Sequence, residues 1–221
     1  MRRVRAPRRL RRIIYPDELY YRLLARAYTF DLRGNTSSYS YQVPNQWQGR
    51  FEALRFVGDK RGGAVTRCIA EHPDFLQRLR SLVAVPLRLV HVVRNPFDNI
   101  AAISIWNDLS LEESTDFYFR HCLTTSVLDT LCDPSEAITV HHEELIREPA
   151  AVLSGLCAFL GLDRYPGYVE DCCSIVFATP THTRRRVRWP AALVREVERR
   201  ARPYPFLDRY GFEIRDEETR R

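Results

Sequence analysis

The stretch "VHVVRNPFDN" sets an arginine, Arg94, between an apolar run and a proline that can open a helix. A helix N-terminus presents free N–H groups and a partial positive charge. A guanidinium adds a planar fork of donors suited to phosphate. Together they form a place to hold an anion. Asp98, four residues on, has two open roles: it steadies the helix end and orients Arg94, or it merely pairs with Arg94. The stretch "RFVGDKRGG" holds a second candidate, Lys60, the one lysine among 34 Lys and Arg residues. Its ammonium could act as a point charge on a transferring or leaving group, and Gly62 and Gly63 would let backbone approach a ligand. A surface lysine in a turn is the plainer reading. In "HTRRRVRW", Arg184, Arg185, Arg186 and Arg188 precede Trp189. This is either a lid that clamps phosphates, with the indole closing over a ring, or a solvated basic loop.

Other patterns carry less. His141 and His142 stand beside Glu143 and Glu144, but neighbouring residues on a strand point to opposite faces. No HExxH-type spacing occurs, so no metal is expected. There is no GxGxxG and no serine nucleophile elbow.

The elements that would position these residues alternate. A helix is expected over "YPDELYYRLLARAYTF", then a polar loop carrying Tyr39, Tyr41 and Trp47. "ALRFVGD", "LRLVHVV" and "EAITVHH" read as buried strands. Helices are expected over "AVTRCIAEHPDFLQRLRSLV", broken at Pro73, and over "PFDNIAAISIW" and "LEESTDFYFRHCLTTSVLDTL". Further helices are expected over "EPAAVLSGLCAFLGL", stopped by Gly161, and over "YVEDCCSIV" and "PAALVREVERRA". Such alternation implies an α/β three-layer sandwich with a mostly parallel sheet. Ligands then bind beyond the carboxyl ends of the strands, which brings Lys60, Arg94 and residues 141–144 toward one place.

At 221 residues the chain is read as one domain over residues 15–215, with a basic arm at 1–14 and a loose tail at 216–221. The net charge of +6 permits an anionic partner. Codon usage is the plain reason for 33 arginines against one lysine. No apolar run is long enough to cross a bilayer, and no signal peptide is evident. Six cysteines without C-x-x-C spacing fit reduced thiols and a cytoplasmic setting.

"RFVGDK", "LVHVVRNPFDNIAAIS", "ITVHHEELIREPAAVLSGLCAFLGL" and "HTRRRVRW", in that order, resemble the bacterial sulfotransferase family, over roughly Phe56 to Tyr210. The resemblance implies a P-loop NTPase-like core and a sulfuryl donor, 3′-phosphoadenosine-5′-phosphosulfate (PAPS), without a metal. It implies that Arg94 binds the donor's 3′-phosphate. The family's serine eight places later is Ala102 here, with Ser104 the nearest hydroxyl. Arg184 and Arg186 would reach the nucleotide, Lys60 would sit near the sulfuryl group, and Glu144 would cap the following helix. The acceptor would be a small molecule or carbohydrate offering a hydroxyl or amine; no specific nucleic acid is expected, and the oligomeric state is open. Asp59 and His91 are the candidate bases, His91 with a core role as its alternative. The family also opens with a strand and a P-loop-like turn; "MRRVRAPRRL" has no glycine, serine or threonine. The expectation is therefore an N-terminally truncated sulfotransferase with little activity. The alternatives are a non-catalytic remnant, a nucleotide-dependent kinase or a nucleic-acid-binding protein, against the last of which the scattered arginines count.

Overall fold

The computed structural model describes residues 43–45, 62–83, 85–162 and 167–212. Lys60, Asp59, the strand expected at 53–59, the helix expected at 15–30 and the loop residues Tyr39, Tyr41 and Trp47 lie outside the described residues. Within them the chain begins with helices α1 (Gly62–Glu71) and α2 (Phe75–Val83), separated at Pro73 as the sequence implied. Strand β1 (Leu89–Val93) follows, then α3 (Pro96–Asn107) and α4 (Leu111–Leu131). Strand β2 (Ala137–His141) leads directly into α5 (His142–Arg147), then α6 (Pro149–Leu160) and α7 (Tyr168–Cys173). A 3₁₀ turn (Thr183–Arg186), α8 (Ala191–Ala201) and a second 3₁₀ turn (Pro205–Leu207) complete the order.

The described strands β1 and β2 pair in parallel, in register from Leu89 with Ala137 to Val93 with His141. The crossover between them is α3 and α4, as a parallel pair requires. This is an α/β arrangement with a small parallel sheet. Arg94 and His142 therefore leave the sheet at the same end, one residue beyond a paired Val93 and His141.

Local chemistry sets the boundaries. Pro96 locks the first turn of α3, and the Asn95 side chain accepts from the Phe97 N–H at 3.0 Å. Helix α4 starts at a capping box: the Ser110 hydroxyl accepts from the Glu113 N–H at 3.1 Å, and Glu113 accepts from the Ser110 N–H at 2.9 Å. Gly161, at φ 67°, ends α6 in the left-handed conformation that glycine takes without steric cost. The strand read over "EAITVHH" stops one residue early, because His142 already has helical backbone and opens α5, an element the periodicity did not reveal.

The core joins β1, α3 and α4 to the last part of the described chain. Val93, Phe97, Ile100, Tyr118, Phe119, Cys122, Val197 and Leu207 are buried together. Trp189 and Phe212 meet the Phe97 ring edge-on, at 5.2 and 5.1 Å between centroids. These aromatic contacts pin the late loop and the segment after α8 against α3.

Candidate functional site

Arg94 follows the last residue of β1, and its guanidinium crosses to the late loop. Its Nη2 donates to the Thr181 carbonyl and, at 3.0 Å, to the Thr183 hydroxyl. Its Nε is buried and has no hydrogen-bond partner. Asp98 is not a hydrogen-bond partner of Arg94, so neither the orienting role nor the simple pairing holds. Asp98, 2% exposed, instead receives the Arg184 backbone N–H at 2.8 Å on one oxygen and the Arg184 guanidinium on the other. A carboxylate in the first turn of α3 faces the positive end of the helix, so it is a stable anchor for a buried guanidinium.

The first-turn N–H groups of α3 are engaged too. Phe97 donates to the Asn95 side chain, and Asp98 and Asn99 donate to the Asn95 carbonyl, each at 3.1 Å. The helix end therefore is not the open anion cradle that the sequence implied. At this strand end the buried donor left without a partner is Arg94 Nε.

The late loop differs from both sequence readings. Arg184 is 5% exposed and holds the 3₁₀ turn onto α3. Trp189 packs on Phe97 and donates from Nε1 to the Arg184 carbonyl at 3.2 Å, so it anchors the loop rather than standing free to close over a ring. Arg185, Arg186 and Arg188 remain exposed. Of the expected nucleotide contacts, the structure brings Arg94 and Arg184 to one junction and leaves Arg186 exposed at the end of the 3₁₀ turn. It does not bring Ser104. That hydroxyl donates to the Leu109 carbonyl at 2.7 Å, two turns further along α3. The distance along the axis is about 12 Å from Pro96.

A second polar chain, missed by the sequence, runs behind β2. Glu143 accepts from the Asn95 N–H at 2.9 Å on one oxygen and from the Tyr210 hydroxyl at 2.8 Å on the other. The Tyr210 oxygen lies 3.0 Å from His141 Nδ1. Since the phenol's proton goes to Glu143, His141 Nδ1 must carry a proton and donate. In the neutral ring Nε2 is then the free lone pair, and it makes no hydrogen bond among the described residues. Burial, Glu143's charge and its hydrogen bond push the Tyr210 hydroxyl far up, so it stays a phenol. Burial, then Arg209, hold His141 below the usual imidazole range, with Glu144 and Glu143 opposing. Nothing in the sequence pointed to Tyr210, which lies 67 residues from Glu143 along the chain.

Glu144 does not cap α6. It pairs with Arg209 at 3.2 Å and tethers the segment after α8. His91, one of the sequence's two candidate bases, is half-buried in β1 and packs edge-on against Phe206 at 4.8 Å. Among the described residues no cluster of three metal-ligating side chains occurs, and no helix is long and apolar enough to cross a membrane.

No protein-family model and no curated protein matches this chain. Among solved structures it is similar to a sulfotransferase domain from the curacin biosynthetic pathway, at 18% identity and TM-score 0.44, over 62% of this chain and 59% of that one. It is likewise similar to a sulfotransferase domain from the Synechococcus PCC 7002 olefin synthase, at 16% identity and TM-score 0.44, over 65% of this chain. The similarity spans 55% of that second domain. Likeness of this size assigns neither family nor activity.

Proposed function

We propose that this chain holds the nucleotide of a PAPS-type sulfuryl donor at Arg94 and serves sulfuryl transfer to a hydroxyl or amine acceptor. The observation that carries this reading is the junction of Arg94 with the late loop. Two motifs nearly ninety residues apart in sequence, "VVRNPFDN" and "HTRRRVRW", close on each other through Asp98 and Arg184. At that junction Arg94 keeps a buried N–H with no partner. A buried donor without a partner is a costly feature that a ligand oxygen resolves.

In this reading Arg94 binds the 3′-phosphate, and Arg186 reaches the nucleotide from the end of the 3₁₀ turn. Arg184 keeps the loop in place instead of touching the ligand. Lys60 is assigned to the sulfuryl end from the sequence resemblance alone. When bound, the donor supplies an activated sulfuryl group on a phosphate leaving group. His141 takes the acceptor's proton on Nε2, while Tyr210 and Glu143 fix its tautomer and orientation. A nucleotide-binding protein without transfer is the second reading, and the Arg94 junction serves it equally.

The test is calorimetric titration with the desulfated donor, PAP, beside AMP, which lacks the 3′-phosphate, followed by transfer of labelled sulfate from PAPS to an acceptor panel. Tight PAP binding with weak AMP binding is expected. Equal affinity for both would remove Arg94's assignment, and PAP binding without transfer would favour the second reading.

A further inference from the structure

His142 opens α5 beside Arg94, and its Nδ1 is buried without a hydrogen-bond partner. Two other polar groups at the same junction have unused capacity. Arg94 Nε is a buried donor without a partner. The Thr183 hydroxyl, on a residue 6% exposed, accepts from Arg94 Nη2 at 3.0 Å, but its own proton goes to no acceptor among the described residues. Buried polar groups in folded proteins are satisfied in the great majority of cases. Here a guanidinium N–H, a hydroxyl proton and an imidazole nitrogen are left over around one strand end. All three can donate to an oxyanion, the imidazole either as its neutral Nδ1–H tautomer or as the imidazolium.

We propose that Arg94, Thr183 and His142 form one site for a phosphomonoester dianion, and that His142 takes up a proton when the dianion binds. This rests on the proposed function and names the groups that complete its phosphate site. It also answers the missing hydroxyl on α3: with Ala102 at the expected place and Ser104 turned to Leu109, Thr183 of the late loop supplies it.

The charges that face His142 fix the direction of the linkage. Burial keeps its imidazole below the usual range in the free protein. Glu143, from its own helix, and Asp98, from α3, favour the proton, while Arg94 at the end of β1 opposes it. Arg184 holds Asp98 in a buried pair, which mutes Asp98's pull. A dianion arriving on Arg94 neutralises the opposing charge and adds two negative ones nearby. The imidazole then gains a proton from solvent, and its N–H donates to the phosphate oxygen. Thr181 is exposed, and its carbonyl holds Arg94 Nη2 in the free protein; the phosphate takes that place when it binds.

The experiment titrates PAP and inorganic phosphate into the full chain at pH 7.2, in buffers of different ionisation enthalpy. The wild type, His142→Gln, Thr183→Val and Thr183→Ser are compared, each checked for a cooperative thermal transition. Near this pH a phosphomonoester is mostly the dianion, so uptake with PAP reports the protein; inorganic phosphate is partly monoanion there, so its signal is read as the difference between wild type and His142→Gln. The expected result is net proton uptake in the wild type that vanishes in His142→Gln, with PAP affinity lower by about tenfold. Thr183→Val loses about as much, and Thr183→Ser restores it. PAP binding with the same uptake in wild type and His142→Gln overturns the inference and leaves the proposed function standing. Binding of inorganic phosphate with His142-dependent uptake, when PAP does not bind, supports the site and overturns the sulfuryl-donor reading. Neither ligand binding overturns both.

Discussion

Arg184 and Arg94 meet the same loop–helix junction and end in opposite conditions. Arg184 is almost wholly buried, and both its backbone and its guanidinium are taken by the Asp98 carboxylate. Arg94 is only half-buried, is held by a carbonyl and a hydroxyl with no carboxylate, and keeps a buried donor in reserve. The first is locked to a carboxylate, with no buried atom left without a partner, and is architecture. The second is paired incompletely and has the character of a ligand site. Residue type did not separate them, since both are arginines in motifs suited to phosphate.

The largest effect that would test this contrast comes from Asp98→Ala. Removing one partner of a buried ion pair strands the other charge, at a cost of about 3–5 kcal/mol. Denaturant unfolding should show that loss, and protection of the late loop from hydrogen exchange should fall with it. A change under about 1 kcal/mol would mean that the pair does not anchor the loop. Next comes Arg94→Ala. Its expected stability change is about 1 kcal/mol, the scale of an ordinary hydrogen bond, with PAP affinity reduced about 10- to 100-fold. Should Arg94→Ala unfold the protein as Asp98→Ala does, the two arginines would be alike and the contrast would fail.

Much of the local structure was legible before any coordinates. The apolar run before Arg94, Pro96 as a helix opener and Gly161 as a stop all act within a few residues, and each appears where its chemistry puts it. The extent of α4 was readable for the same reason. The site was legible only as a set of ingredients. "VVRNPFDN" and "HTRRRVRW" were both marked, but which arginine would take Asp98 depends on how a loop closes over 86 residues of chain. Trp189 illustrates the same limit: an indole beside arginines suits a nucleotide, yet here it fills the edge of the Phe97 ring. Tyr210 lies in a segment with no motif at all, and its importance comes from contact with Glu143 and His141 alone.

Tyr210→Phe is a smaller perturbation than either arginine-site change, and it probes the second polar chain. It removes one hydroxyl and leaves a Glu143 oxygen and His141 Nδ1 without their partner. The stability loss should be about 1–2 kcal/mol by thermal unfolding. In a chain active with PAPS, kcat should fall more than the KM for the donor rises, because Arg94 is untouched. A variant with full turnover would show that the chain merely braces the segment after α8, as Glu144 does through Arg209.

The smallest effect is the one with the most informative sign. His121, His141 and His142 are all held below the usual imidazole range, burial being the largest cause in each. An unfolded chain protonates its histidines near pH 6.5. The stability that these neutral rings contribute is therefore full above about pH 6.5 and is lost as pH falls from there toward their folded values. Unfolding midpoints measured from pH 7.5 to 5 should decline across that window in the absence of ligand. Down to about pH 6, while PAP is still largely the dianion, saturating PAP should flatten the decline, because a dianion at Arg94 lets His142 accept its proton while still folded. His142→Gln should show a shallower decline on its own and no flattening by PAP. A decline that PAP leaves unchanged in the wild type would place His142 with Arg184, as part of the frame, and would leave Arg94 and Thr183 to hold the anion by themselves.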